Sequence, residues 1–182
     1  MAAPNGGLAK LFMLKESTWG TAPTLTNAHL FYFDSFTPQN DRTPIDFKEI
    51  QGGAAAVDHV EFVEGGIEVG GSMVYTVRYA GQHAYLAGLC MGTTTTTTAG
   101  STHACALADD LASVTLGWQP PSTSTDIDDH EFLGMMVQSC TWSHRAGEPM
   151  KHSVNFMGKS HSFDVSLQST GSMTTPSEDI IQ

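Results

Sequence analysis

The residues from Ile67 to Tyr79 alternate between two kinds of side chain, and this pattern constrains the fold more than any other feature of the sequence. A period of two sends successive side chains to opposite faces of a β-strand. The run is also long for a strand, since strands in globular proteins usually have about 5–6 residues. It predicts a core face formed by Ile67, Val69, Gly71, Met73, Tyr75, Val77 and Tyr79. The opposite face, expected to point to water, carries Glu68, Ser72, Thr76 and Arg78.

Shorter patterns predict one helix and several more strands. Residues 82–91 have apolar cover and end at Gly92, where the glycine that terminates a helix is expected. Strands are predicted at 10–14, 28–36, 112–119, 135–144, 150–159 and 163–168, and Gly147 is expected to adopt a positive φ in the turn between 144 and 150. One helix against about eight strands predicts a mainly β protein, a two-sheet antiparallel sandwich or barrel with one flanking helix.

The remaining segments are interpreted as loops and arms of a single domain, because 182 residues give room for one ordinary core. Residues 41–66 contain two strand-like arms around a Gly-rich turn and predict a protruding hairpin. Residues 1–9 and 169–182 carry little patterned apolar surface and are expected to be terminal arms. The six threonines at 93–98 have no apolar face, so an exposed loop is expected there, and a second loop is expected at 122–131.

The charge balance excludes a protein that grips nucleic acid. The chain has 8 Lys and Arg residues against 19 Asp and Glu residues, which gives a formal net charge of -11. Affinity for phosphates depends on cations that displace condensed counterions, and this chain has few. Neither a signal peptide nor an apolar run long enough to span a bilayer is predicted. The three cysteines form no Cys-x-x-Cys pair, which argues against a zinc knuckle or a redox motif, and their odd number argues against a secreted disulfide scaffold.

The sequence predicts no enzyme, no cofactor and no metal site. Its eight histidines have no metal-binding spacing, and only His144 and His152 flank the same hairpin turn. Surface or partly packed histidines are therefore the preferred interpretation. The segment from Asp126 to Glu131 has part of the alternation of a calcium loop but lacks its glycine, so weak Ca²⁺ binding stays a minor alternative. Nucleophile elbows, P-loops and dinucleotide fingerprints are absent from the sequence.

Four segments, taken together and in order, resemble the tail tube proteins of siphophages and their prophage relatives. The first is KESTWGTA at 15–22, and the second is the helix end YLAGLCMG at 85–92. The third runs from Thr102 and His103 to LASVTL at 111–116. The fourth consists of FLGMMV at 132–137, TWS at 141–143, GEP at 147–149 and VNFMGK at 154–159. The resemblance covers about residues 10–159, and the threonine tract, Phe132 and residues 41–66 depart from the family pattern.

The resemblance implies a subunit of a virion tail tube, made in the host cytoplasm. Its fold would be a two-sheet β-sandwich with one flanking helix, and its copies would close hexameric rings that stack into a tube. Tape measure, tail terminator and distal tail proteins would be its partners, and DNA would pass through the lumen without specific binding. Glu68, Ser72, Thr76 and Arg78 would then face the lumen. An acidic channel would repel DNA, although acidity that only confers solubility explains the charge equally well.

Two other classes of function stay open at this point. One is a different β-sandwich virion protein, such as a decoration or tail-completion protein, or a related tube protein of a secretion or contractile machine. The other is a small hydrolase or sugar-binding module, because a sandwich fold alone does not determine function. Rings or tubes with a central hole would favour the tube subunit, whereas a pocket with a perturbed acid would favour the hydrolase.

Overall fold

The computed structural model describes residues 9–26, 29–48, 60–78, 81–98, 102–121, 129–163 and 167. The arms predicted at 1–9 (apart from Ala9) and 169–182, and most of the acidic loop, lie outside the described residues. Within those ranges the chain forms one helix, α1 (Gly81–Met91), and ten strands. The strands are β1 (Lys10–Lys15), β2 (Leu30–Phe31), β3 (Ser35–Lys48), β4 (Val60–Thr76), β5 (Gly92–Thr98), β6 (Thr102–Leu107), β7 (Val114–Gln119), β8 (His130–Ser143), β9 (Lys151–Gly158) and β10 (Ser160–Phe163).

The main sheet is antiparallel and has two halves, which share β8. One half contains β2, β1, β7 and β10, and the other contains β9, β4 and β3. The strand order is β2-β1-β7-β8-β9-β4-β3, and β10 also pairs with β8. The first residues of β8, up to Met135, pair with β7 and β10, whereas Met136 and the residues after it pair with β9. The described strands do not close into a barrel. The predicted mainly β, antiparallel fold is confirmed in its sandwich form.

The core lies between the two halves of the sheet. Phe36 of β3 meets Trp118 of β7 and Phe132 of β8 edge-on, with ring centroids 5.9 Å and 6.2 Å apart. Phe31 of β2 meets Tyr75 of β4 in the same way at 5.6 Å. Each pair joins a strand of one half to a strand of the other. Leu86 and Leu89 of α1 are buried in the same apolar cluster. The helix therefore flanks the sandwich, as predicted.

The alternation predicted for the long strand is present in β4. Val69, Met73, Tyr75 and Val77 are at most 3% exposed, and Gly71 between them is also buried. Ile67 is the exception among the predicted core residues, because it is 48% exposed. The reason is that β9 pairs with β4 only between Val69 and Thr76, so Ile67 lies beyond the end of that pairing. Tyr79 lies outside the described residues.

The threonine tract is not a loop, and this prediction was wrong. Residues 92–98 form β5, which pairs antiparallel with β6 from Gly92 and Leu107 to Thr98 and Thr102. Threonine is β-branched and favours extended backbone, so a polar run can form a strand once a partner strand is available. The hairpin lies outside the main sheet, so its strand does not need an apolar face for the core. A search of the sequence for apolar alternation therefore overlooks it.

Other boundaries also differ from the sequence prediction: β4 begins at Val60 instead of Ile67, β7 at Val114 instead of Ala112, and β8 at His130 instead of Met135. The last strand, β10, ends at Phe163 instead of beginning there, because the chain continues along β8 directly after Lys159. The strand predicted at 28–36 is divided between β2 and β3. The loop predicted at 122–131 ends earlier than expected, since Glu131 lies within β8 and Asp129 is buried. The predicted helix and turn are confirmed, with φ of 101° at Gly92 and 85° at Gly147.

Candidate assembly surface

One face of the layer formed by β3, β4, β9 and the second half of β8 points away from the core. Four small polar residues lie in register across these strands: Thr37 is opposite Ser72, Ser72 is opposite Asn155, and Asn155 is opposite Ser139. All four side chains are exposed, and the amide of Asn155 donates a hydrogen bond to Ser139 Oγ at 2.9 Å. We call this surface the polar face. Its other exposed or half-buried members include Gln39, Asp41, Glu68, Thr76, Thr141, Ser153 and Met157.

Charged groups lie at both ends of the polar face, and two unlike arrangements of them are found there. At one end Asp41 lies opposite Glu68, and Gln39 donates a hydrogen bond to the Asp41 carboxylate at 3.0 Å. At the other end Asp34 accepts a hydrogen bond from Thr76 Oγ1 at 3.0 Å and pairs with Lys151 at 3.4 Å. Exposed ion pairs of this kind contribute little to stability. Asp41 and Glu68 give their end of the surface a negative potential, whereas the charge of Asp34 is balanced by Lys151.

The four residues expected to face a lumen differ in exposure and in their position relative to β4. Glu68 and Ser72 are exposed on the polar face, whereas Thr76 is half-buried at the last position of β4. Arg78 is half-buried beyond the end of the strand. β4 ends at Thr76, and the backbone N–H of Val77 still donates a hydrogen bond to Met150 O at 2.9 Å. Sequence reasoning missed the contributions of the neighbouring strands, since only strand register places them beside β4: Thr37, Ser139 and Asn155.

The carboxylate of Glu16 anchors the loop after β1 to the sandwich. It is 6% exposed and accepts hydrogen bonds from Gly20 N, Ser113 Oγ and Gly134 N at 2.7 Å and from Thr115 Oγ1 at 2.8 Å. Burial by itself raises the pKa of Glu16, but these four bonds favour the charged form and leave the pKa below its ordinary value. One side chain thus joins the loop, β8 and the segment that leads into β7.

Trp19 and Lys159 complete this anchor around Gly134. The indole N–H of Trp19 donates to Gly134 O at 3.3 Å, and Lys159 Nζ lies 4.7 Å from the centre of the Trp19 ring. Gly134 has a φ of 65°, and a Cβ there would lie 2.8 Å from both Lys159 Cβ and Trp19 Nε1. Only glycine fits this conformation and this space. The first and fourth sequence segments that carry the resemblance therefore meet at one point of the fold.

A second buried polar group lies under α1. The hydroxyl of Tyr75 is 2.7 Å from Nδ1 of His152 and 2.9 Å from Nδ1 of His83. Burial and the neighbouring His83 lower the pKa of His152 to about 4, so its ring is neutral at pH 7. The expected approach of His144 is not observed, because His152 lies opposite Trp142 and their rings stack at 4.8 Å. Instead, the ring faces two cysteines that the sequence leaves scattered, Cys90 and Cys140.

The acidic segment has a structural role at its described end. Asp129 is 5% exposed and accepts hydrogen bonds from Gln119 Nε2 at 3.5 Å and from Leu167 N at 3.2 Å. Burial raises the pKa of Asp129, and those two bonds only partly offset the shift. Glu131 lies within β8, so Asp129 and Glu131 sit on this strand and on the residue that precedes it. Asp126 and Asp128 lie outside the described residues.

Chains from several solved tail and tube assemblies share this fold. The chain is similar to the SPP1 tail tube, with a TM-score of 0.57 and 12% identity over 92% of this chain and 82% of that one. It is similar to a tail chain of a gene transfer agent particle refined with C6 symmetry, with a TM-score of 0.57 and 9% identity over 90% of this chain and 100% of that one. It is also similar to a chain of the PVC sheath-tube complex of an extracellular contractile injection system, with a TM-score of 0.52 and 9% identity over 85% and 88% of the two chains.

Identities this low show the fold alone, and family membership depends on the sequence profile. No curated protein matches the chain in sequence at a significant level. The described helix is not long and apolar enough to cross a membrane. The sequence profile described as phage tail tube protein matches residues 6–180, which is nearly the whole chain. The chain belongs to the phage tail tube protein family.

Proposed function

We propose that six copies of this subunit close a ring, and that stacked rings form the tail channel through which DNA leaves the virion. The subunit would be a non-enzymatic part of the virion, made in the host cytoplasm. Tail terminator and distal tail proteins would cap the tube, and a tape measure protein would occupy it during assembly. Membership in the tail tube family and the fold shared with a C6-symmetric tail support this proposal.

The sheet that carries the polar face has edges suited to ring closure. In the described part of the chain β3 has a strand neighbour on one side only, and β8 beyond Met135 has β9 as its strand neighbour. Pairing β3 of one subunit with this part of β8 in the next would join the layers of all subunits into one closed barrel. Pro38 and Pro44 in β3 lack an N–H, which limits the pairing to the other positions and so favours one register.

The observation that carries the proposal is the row of Thr37, Ser72, Asn155 and Ser139 across the polar face. A wall beside moving DNA needs short polar side chains, because they expose little apolar surface and offer no cation to a phosphate. The acids Asp41 and Glu68 add a negative potential that repels phosphates. Glu68, Ser72 and Thr76 would therefore line the lumen, with Arg78 at its margin.

Electron microscopy of the assembled protein tests the architecture. We expect tubes with a central hole and six-fold symmetry in cross-section, with the polar face on the inner wall. Filaments without a hole, or a map that places Ser72 and Asn155 on the outer surface, would contradict the proposal. Tubes found only together with a surrounding sheath would favour the contractile alternative.

A charge substitution tests the channel itself. In virions, Ser72→Lys would add one cation per subunit to the inner wall, and we expect slower DNA release from tails of normal appearance. Ser162→Lys is the matched control, because Ser162 is also exposed but lies on β10, away from the polar face. Equal release rates for the two variants would show that the polar face does not line the channel.

A further inference from the structure

Three side chains with strong affinity for soft metal ions converge between α1 and the sheet. Cys90 belongs to α1, Cys140 to β8 and His152 to β9. Their two sulfur atoms and one imidazole nitrogen all lie within 4.8 Å of one another, and Cys90 Sγ is 3.9 Å from Nε2 of His152. Tetrahedral zinc, with Zn–S about 2.3 Å and Zn–N about 2.0 Å, separates its ligand atoms by roughly 3.5–3.8 Å. The three atoms are thus close to the spacing that zinc requires.

The surroundings of His152 prepare its Nε2 to act as a ligand. The ring is fully buried, and its Nδ1 lies 2.7 Å from the Tyr75 hydroxyl, which in turn is 2.9 Å from Nδ1 of His83. When His152 Nδ1–H donates to Tyr75 and Tyr75 donates to His83, the lone pair on Nε2 of His152 is free and faces Cys90. Metal-binding histidines usually donate their other N–H in this way, which fixes both tautomer and ring orientation.

The charges of the site also balance for a divalent ion. Two thiols give up two protons when they bind Zn²⁺, and no electron transfer is required. The resulting centre of one Zn²⁺ and two thiolates has no net charge, which suits a site packed against the apolar core. Cys90 and Cys140 are half-buried, so solvent can reach the site and a water molecule can complete the tetrahedron.

We propose that Cys90, Cys140 and His152 bind one Zn²⁺ ion that ties α1 to β8 and β9. The three ligands come from elements far apart in sequence, so the ion cross-links the helix to the sheet. If Zn²⁺ binds only the folded protein, it stabilises that form, and the stabilisation grows with the logarithm of the ratio of the free Zn²⁺ concentration to the dissociation constant. The site is independent of the channel, because its residues contact the core and the helix.

Metal content and cobalt spectroscopy of the full-length protein test this site. We expect one Zn²⁺ per purified chain and, after chelation, uptake of one Co²⁺ with the visible bands of tetrahedral coordination and a thiolate charge-transfer band. Cys90→Ser and Cys140→Ser should each weaken binding at least tenfold and reduce the charge-transfer band. Cys105→Ser is the matched control, since it removes the remaining cysteine of the chain and should leave the affinity unchanged.

Thermal unfolding provides a second readout. Zn²⁺ should raise the midpoint of the wild-type protein and of Cys105→Ser, but not that of Cys90→Ser or Cys140→Ser. His152→Gln should also abolish the zinc-dependent shift, and the cysteine variants decide the matter if that variant fails to fold. Failure of the wild type to bind either ion, or equal binding by all three cysteine variants, would overturn the proposal. A metal-free Cys90–Cys140 disulfide in protein purified under reducing conditions would overturn it as well.

Discussion

Replacing Glu16 with glutamine should destabilise the subunit strongly, although the substitution changes only one atom of the carboxylate into an amide nitrogen. Four donors converge on Glu16: the backbone N–H groups of Gly20 and Gly134 and the hydroxyls of Ser113 and Thr115. Each oxygen receives one backbone N–H and one hydroxyl. A hydroxyl can rotate and accept from the new amide, but a backbone N–H cannot. Whichever way the amide turns, one backbone N–H loses its acceptor, either the buried N–H of Gly134 or the half-buried N–H of Gly20.

The expected cost follows from those contacts. An unsatisfied buried donor costs about 1–3 kcal/mol, and a hydrogen bond to a neutral acceptor is weaker by about 1 kcal/mol than one to a charged acceptor. Removing the desolvated charge offsets part of this loss. The free energy of unfolding should therefore fall by roughly 2–4 kcal/mol for Glu16→Gln. Glu148→Gln is the control, because Glu148 is exposed in the β8–β9 turn and should change the value by less than about 0.5 kcal/mol.

Urea unfolding of the unassembled subunit measures both variants. An unfolding free energy for Glu16→Gln within about 0.5 kcal/mol of the wild type would refute the role assigned to this carboxylate. The pH dependence gives an independent check. Because the folded pKa of Glu16 is below its ordinary value, its stabilisation is complete above the ordinary pKa and disappears as the pH falls through the folded value. The wild type should therefore lose more stability on acidification than Glu16→Gln does.

Three further outcomes are expected. Gly134→Ala should lower the free energy of unfolding by more than about 2 kcal/mol, because the new methyl group would be strained by the left-handed backbone and would also clash with Lys159. Gly147→Ala has the same backbone strain but open space around it, so it should cost only about 1–2 kcal/mol in the same urea assay. Equal costs for the two variants would contradict the packing argument. Val77→Ala should cost about 1–3 kcal/mol and Thr76→Ala less than about 1 kcal/mol, and the reverse order in denaturant melts would show that the two faces are exchanged at the end of β4 and in the residue after it. Added salt should favour polymerisation, because a net charge of -11 makes subunits repel one another at low ionic strength; sedimentation that shows loss of polymer with rising salt would contradict this.

Local pattern was sufficient where neighbouring residues determine the conformation. The alternation along β4, the glycine that ends α1 and the positive φ at Gly147 all follow from period or from backbone sterics, and the structure has each of them. The same reasoning failed for the threonines of β5, whose conformation depends on pairing with β6. It also placed Ile67 in the core, because periodicity does not show where the pairing of β4 with β9 ends.

The sequence by itself determined the helix α1, the two-faced strand β4, the acidic charge and the family resemblance, since each is a property of residue order or composition. Tertiary structure alone decided which distant residues meet. Strand register placed Thr37, Asn155 and Ser139 beside Ser72, and the packing of α1 brought Cys90 to Cys140. The physical reason is that side-chain period acts within a strand or helix, whereas contacts between elements depend on the topology of the whole sheet and on the core that holds its layers together.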